Sequence, residues 1–135
     1  MHSSISTEHT LFVCALCRPN HEAGSESPSA GQQLIEKLQQ ELQAVEGCDR
    51  IRLQPVRCMA ACERGCTAAL ATPNKLTFIL HDLSPAKSAP ELAEFCRQYL
   101  ACPDGKVPYH ERSTAIKQST SFILPPVAAP PVAAV

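Results

Sequence analysis

The stretch IRLQPVR (51–57), CMAACERGC (58–66), TAALA (67–71), TPNK (72–75) and LTFILHDL (76–83) decides the fold. In its first piece Ile51 and Leu53 alternate with polar residues and Val56 follows Pro55, which predicts a strand. Proline cannot donate to a ladder, so this strand belongs on or near a sheet edge. TAALA and LTFILHDL flank the turn-like TPNK and predict an antiparallel hairpin. Between strand and hairpin lies a short loop in which Cys58, Cys62 and Cys66 fall at every fourth position.

Upstream, LFVCAL (11–16) is an apolar, strand-length run that ends in a Cys-x-x-Cys formed by Cys14 and Cys17. The following RPNHEAGSESPSAG has the Pro, Gly, Ser and Asn content of a loop. A helix is then predicted from about Ala30 to Glu46. Ser29 and Gln32 have capping-box spacing, Leu34, Ile35, Leu38, Leu42 and Val45 recur at helical intervals, and Gly47 stops it. Downstream of the hairpin, a second helix is predicted over 90–100, with Pro90 in its first turn and Leu92, Phe95, Cys96 and Tyr99 on one face.

The chain beyond carries fewer signals. Residues 101–122 are expected to wrap the surface, with a short helix near Ser113 to Gln118, and the uncharged PPVAAPPVAAV (125–135) favours extended or disordered chain. The predicted organisation is a flexible N-terminus (1–10), a domain over 11–112, and a C-terminal extension with a Pro/Ala-rich tail (113–135).

The element order β-α-β-β-β-α is the minimal thioredoxin-like α/β arrangement, a mixed sheet flanked by two main helices with a short central cysteine loop. It places Cys14 and Cys17 at the carboxyl end of the first strand and Cys58 at the carboxyl end of the second. In parallel strands those ends share one sheet edge, where open α/β folds gather their sites. The two cysteine clusters can meet there.

At 135 residues the chain can bury a core without a metal to hold it together. A formal charge of −1 gives no electrostatic footprint for nucleic acid, and two Tyr, four Phe and no Trp make a poor base-stacking platform. No apolar run is long enough to span a bilayer. MHSSISTEHT lacks the basic region and apolar core of an export signal, so the expected location is cytoplasmic. In a reducing compartment eight cysteines would rarely pair as disulfides. Metal or redox chemistry then accounts better for the five clustered thiols, and Cys48, Cys96 and Cys102 are left to blander roles, Cys96 as a small hydrophobe.

Two separated cysteine pairs suit a tetrathiolate site, because each pair supplies two soft sulfurs from one turn. A catalytic dithiol needs its first cysteine at a helix N-terminus; here a long polar loop follows Cys17, and Cys58, Cys62 and Cys66 would have no role. Spacing alone leaves zinc and iron-sulfur equally open. His21, four residues beyond Cys17, is a weaker candidate ligand, and His81 and His110 lack partners at ligand spacing. Neither a Ser/His/Asp order nor a phosphate-cradling loop is present, so a hydrolase or nucleotide enzyme is not expected.

VCALCR, PVRCMAACERGCTAALATPNKLTFILHDL and YLACPDGKVPYHER resemble a bacterial family of uncharacterised predicted metal-binding proteins. The element order also resembles the thioredoxin-like [2Fe-2S] ferredoxins. The resemblance covers residues 11–112, and CMAACERGCT is its most specific part. It implies a [2Fe-2S] cluster ligated by Cys14, Cys17, Cys58 and Cys62, with Cys66 as the alternative ligand, in a protein that carries single electrons and is not an enzyme. A redox protein of unspecified identity would be its partner, and a homodimer is compatible with the sequence. Arg18, Arg57 and Arg64 each lie within two residues of an implied ligand, where positive charge would favour the reduced cluster. The alternative function is binding or delivery of zinc, cobalt or iron through the same thiolates, or a structural zinc module.

Overall fold

The computed structural model describes residues 9–15, 29–57, 66–85 and 87–127. They form one five-stranded mixed sheet in the order β2-β1-β3-β4-β5, with β1 (His9–Cys14), β2 (Ile51–Val56), β3 (Cys66–Ala71), β4 (Thr77–Leu83) and β5 (Thr120–Leu124). β1 and β2 run parallel, from His9 opposite Ile51 to Cys14 opposite Val56. The other neighbours are antiparallel. As Pro55 foretells, β2 is an edge strand.

Helix α1 (Ala30–Ala44) crosses from β1 to β2. Its N-cap carries the expected reciprocal box: Ser29 Oγ accepts from the Gln32 N–H at 3.1 Å, and Gln32 Oε1 accepts from the Ser29 N–H at 3.2 Å. Leu34, Ile35, Leu38 and Leu42 form its buried stripe. Gly47, at φ 89°, turns the chain away into a single 3-10 turn at Cys48–Arg50. Helix α2 (Ser88–Ala101) buries Leu92, Ala93, Phe95, Cys96 and Tyr99. It starts two residues before the predicted position because Ser88 Oγ accepts from the Ser84 N–H at 2.7 Å and the Ser88 N–H bonds the Ser84 carbonyl.

The two helices pack on each other and on one face of the sheet. Their stripes meet Leu11 and Val13 of β1, Ala68 and Leu70 of β3, and Phe78 and Leu80 of β4, all fully buried. Phe78 sits edge-on to Phe95 at 4.9 Å and to Tyr99 at 6.1 Å. The alternate residues of the strands, among them Phe12, Ile79 and Phe122, lie on the face without helices and are only partly covered.

Two features exceed the sequence expectation. The short helix α3 (Thr114–Ser119) appears where a helix is predicted, but it runs directly into β5, which extends the sheet beyond β4. At the end of the sheet where β1 begins, Lys75 is buried: its Nζ meets His9 Nε2 at 2.8 Å and donates to the Tyr99 carbonyl at 3.2 Å. Burial pushes the Lys75 pKa below the ordinary lysine range. Among the described residues no helix is long and apolar enough to cross a membrane.

Candidate metal centre

Both cysteine-bearing segments begin and end at one place. Cys17 belongs to residues 16–28, between Ala15 and Ser29; Cys58 and Cys62 belong to 58–65, between Arg57 and Cys66. Cys17, Cys58 and Cys62, together with Arg18, His21 and Arg64, lie outside the described residues. Their four attachment points do not.

The Ala15 N–H donates to the Val56 carbonyl at 2.7 Å, which joins the start of the first segment to the end of β2. Ser29 Oγ donates to the Ala15 carbonyl at 2.6 Å, so the first segment starts and ends in contact. The Cys14 thiol lies 4.0 Å from the Arg57 carbonyl. On the other side of β1, Val13 stands opposite Ala68 in an antiparallel ladder, which brings Cys66, two residues earlier in β3, to the same end of the sheet. The parallel pairing of β1 with β2 is what makes this convergence possible.

Helix α1 approaches this point so closely that only glycine fits. A Cβ built on Gly31 would stand 2.1 Å from the Cys14 carbonyl oxygen and 3.0 Å from the Ala15 carbonyl carbon. The first turn of α1 contains no acidic side chain, so no negative charge within that turn offsets the positive end of its dipole.

The two described cysteines of the clusters are both buried in the apolar core. Cys14 closes β1 and is 4% exposed. Cys66 opens β3 opposite Leu83, has no exposed surface and belongs to the apolar core. Arg57 is exposed directly after β2. Among the described residues no three His, Cys, Asp or Glu side chains gather as a metal site.

The remaining thiols are placed as expected. Cys48 is buried, with its thiol 3.6 Å from the Ala93 carbonyl. Cys96 is fully buried, and desolvation, with the neighbouring Cys48 adding to it, pushes its thiol far above the ordinary cysteine range. Both behave as small core residues. Cys102 is partly exposed, and desolvation raises its pKa as well.

The structure does bring together a serine, a histidine and an aspartate that no sequence order announces. Ser121 of β5 hydrogen-bonds His81 Nδ1, and His81 Nε2 lies 3.2 Å from Asp82 Oδ2. The polarity is the reverse of a hydrolase triad, in which the serine bonds Nε2 and the acid bonds Nδ1. The Asp82 side chain is 63% exposed, not buried behind the ring. The trio clasps β5 to β4.

The profile of a family described as "Protein of unknown function (DUF1636)" matches residues 11–126. Among curated proteins none matches. A solved thioredoxin-like [2Fe-2S] ferredoxin from Aquifex aeolicus is similar at TM-score 0.56 and 17% identity, over 85% of this chain and 91% of that one. A wild-type structure of the thioredoxin-like [2Fe-2S] ferredoxin from Aquifex aeolicus gives TM-score 0.53 and 17% identity, over 83% and 94%. The fold is thioredoxin-like.

Proposed function

Because this chain belongs to the DUF1636 family and has a thioredoxin-like fold, we propose that it is a small electron carrier holding a [2Fe-2S] cluster through Cys14, Cys17, Cys58 and Cys62. The observation that carries this reading is the convergence of Ala15, Ser29, Arg57 and Cys66. Segments 16–28 and 58–65 both spring from that point, and between them they hold three of the four ligands beside Cys14. The solved proteins of similar fold are [2Fe-2S] ferredoxins by name, which favours this cluster over zinc.

When bound, such a cluster accepts and releases one electron. The chain's own residues supply the surroundings. Cys14 offers a thiolate from a rigid strand end, which is a more exact placement than a loop provides. Ser29 ties the N-terminus of α1 to the Ala15 carbonyl, and Gly31 lets the helix close down on the Cys14 backbone. The positive end of α1, with no carboxylate in its first turn, favours an anionic centre nearby. Arg57, exposed beside the same point, supports docking of an acidic redox partner.

The test is protein purified without oxygen. Iron and acid-labile sulfide should accompany it in equal amounts, and dithionite should bleach the colour reversibly. Stoichiometric zinc without sulfide would replace this reading with metal binding or delivery.

A further inference from the structure

At the end of the sheet away from Cys14, separate pieces of chain meet: the start of β1, the turn 72–75 between β3 and β4, and the C-terminal end of α2 with the loop 102–107 behind it. Lys75, on the turn, joins them. Its Nζ meets His9 Nε2 of β1 at 2.8 Å, donates to the Tyr99 carbonyl of α2 at 3.2 Å, and stands 4.9 Å from the centre of the Tyr99 ring. The Leu76 N–H donates to the Asp104 carbonyl at 3.0 Å, which holds the loop against the same place. His9 is 5% exposed and Lys75 8%.

We propose that the Lys75–His9 pair is an acid-sensitive latch, closed while His9 is neutral and opened when His9 takes up a proton. An ammonium group has three donors and no acceptor, so the ring nitrogen 2.8 Å away must present its lone pair, and the ring carries its proton on Nδ1. The imidazole lone pair, the Tyr99 carbonyl and the face of the Tyr99 ring together take up the cation. No carboxylate is needed. The described ion pairs join His81 to Asp82, Arg97 to Glu94 and His110 to Glu111, and none reaches Lys75.

A proton on Nε2 removes the acceptor and sets two positive charges 2.8 Å apart where little water reaches to screen them. Alkali does not have the same effect, because a neutral Lys75 amine still donates an N–H to Nε2. The surrounding groups bias the pair without replacing it. Burial works against the Lys75 charge, Cys102 and Asp104 of the loop favour it, and Arg50 of the 3-10 turn opposes it. Tyr99 is a neutral phenol whose hydroxyl donates to the Leu76 carbonyl at 2.7 Å, and Ile51 of β2, opposite His9, is apolar. Glu8 lies outside the described residues.

The sign follows from the lone pair. The unfolded chain takes up the His9 proton more readily than the folded one, so the latch contributes its full stability above about pH 6.5 and loses it as pH falls. Nitrogen NMR of the imidazoles in the full-length protein tests this directly. At pH 7 His9 should show the tautomer protonated on Nδ1, and its titration midpoint should lie below the ordinary value of about 6.5. Lys75→Met removes the neighbouring cation and should raise that midpoint by at least about one pH unit.

His9→Gln keeps an acceptor and abolishes the titration, and it decides the matter even where Lys75→Met fails to fold. Native Tm should fall more steeply than that of His9→Gln between about pH 7 and pH 5. The difference between the two curves cancels the other histidines of the chain. A His9 ring protonated on Nε2 at pH 7 overturns the proposal. So does a native midpoint at or above about 6.5, a midpoint that Lys75→Met does not move, or parallel Tm slopes.

Discussion

Gly31→Ala sets two physical effects against each other at the candidate centre. Gly31 is the second residue of α1, where alanine is favoured over glycine by at most about 1 kcal/mol, so propensity alone raises stability. The added methyl, however, would sit 2.1 Å from the Cys14 carbonyl oxygen, and its three nearest neighbours are all backbone atoms. No rotamer can relieve that contact. The start of α1 must withdraw by ~1 Å, a shift comparable to those that cost 1–3 kcal/mol when a packed core is overfilled. The withdrawal also strains the 2.6 Å bond from Ser29 Oγ to the Ala15 carbonyl, a further loss of about 1 kcal/mol. The net effect is a destabilisation of about 2 kcal/mol, which for a chain of this length lowers Tm by roughly 6–10 °C. Thermal unfolding of the purified variant measures it, and iron and sulfide content should fall in parallel. A Tm equal to or above that of the native protein would show that α1 has room to move and that its close approach to Cys14 is not enforced.

Cys14→Ser, Cys17→Ser, Cys58→Ser and Cys62→Ser should each sharply reduce cluster retention or change the electron paramagnetic resonance of the reduced protein, because oxygen is a harder ligand than sulfur. Cys66→Ser should leave that signal nearly unchanged; loss of the cluster there, with retention in Cys14→Ser, reverses the assignment. Ser29→Ala removes the cap to Gln32 and the bond to Ala15 together, and chemical denaturation should report a loss of about 1–2 kcal/mol. Burial raises the Cys96 pKa, so the folded state holds its proton above the pH at which the unfolded thiol ionises; that stability is complete below about pH 8.5 and declines as pH rises. The native Tm should therefore fall more steeply than that of Cys96→Ala between about pH 8.5 and 10, and parallel slopes would contradict the burial argument.

Much of the fold was legible because each element carried a local signal that tertiary packing did not override. The Ser29–Gln32 box started α1 where it was expected, Gly47 turned the chain after it, and Pro55 correctly marked an edge. β5 was not legible because a strand paired on one side, with both faces open, shows no alternation. Phe122, Ile123 and Leu124 are consecutive, all exposed, and follow α3 without a turn residue. The start of β1 was hidden for a different reason. His9 reads as polar, yet it is buried beside Lys75 and edge-on to Tyr99 at 5.9 Å, so the strand begins two residues before the apolar run.

At the candidate centre, spacing suggested the cysteine pairs, and the rule that parallel strands present their carboxyl ends together anticipated the parallel β1–β2 register, which brings Cys14 and Arg57 to one end of the sheet. The roles of Gly31 and Ser29 were invisible, because they depend on contacts with Cys14 and Ala15 that no periodicity encodes. The choice between Cys62 and Cys66 was also open in sequence, since three cysteines at every fourth position are equivalent in spacing. Of the two, Cys66 is among the described residues and Cys62 is not. Cys66 begins a strand between β1 and β4, has no exposed surface and lies within the same apolar cluster as Ala68 and Leu70. Cys14 is buried in the same cluster and holds a ladder position opposite Val56, so burial and ladder pairing do not by themselves separate a ligand from a packing residue. Retention of the reduced-cluster signal in Cys66→Ser, against its loss in Cys62→Ser, is therefore the result that would assign Cys66 to packing and Cys62 to the cluster.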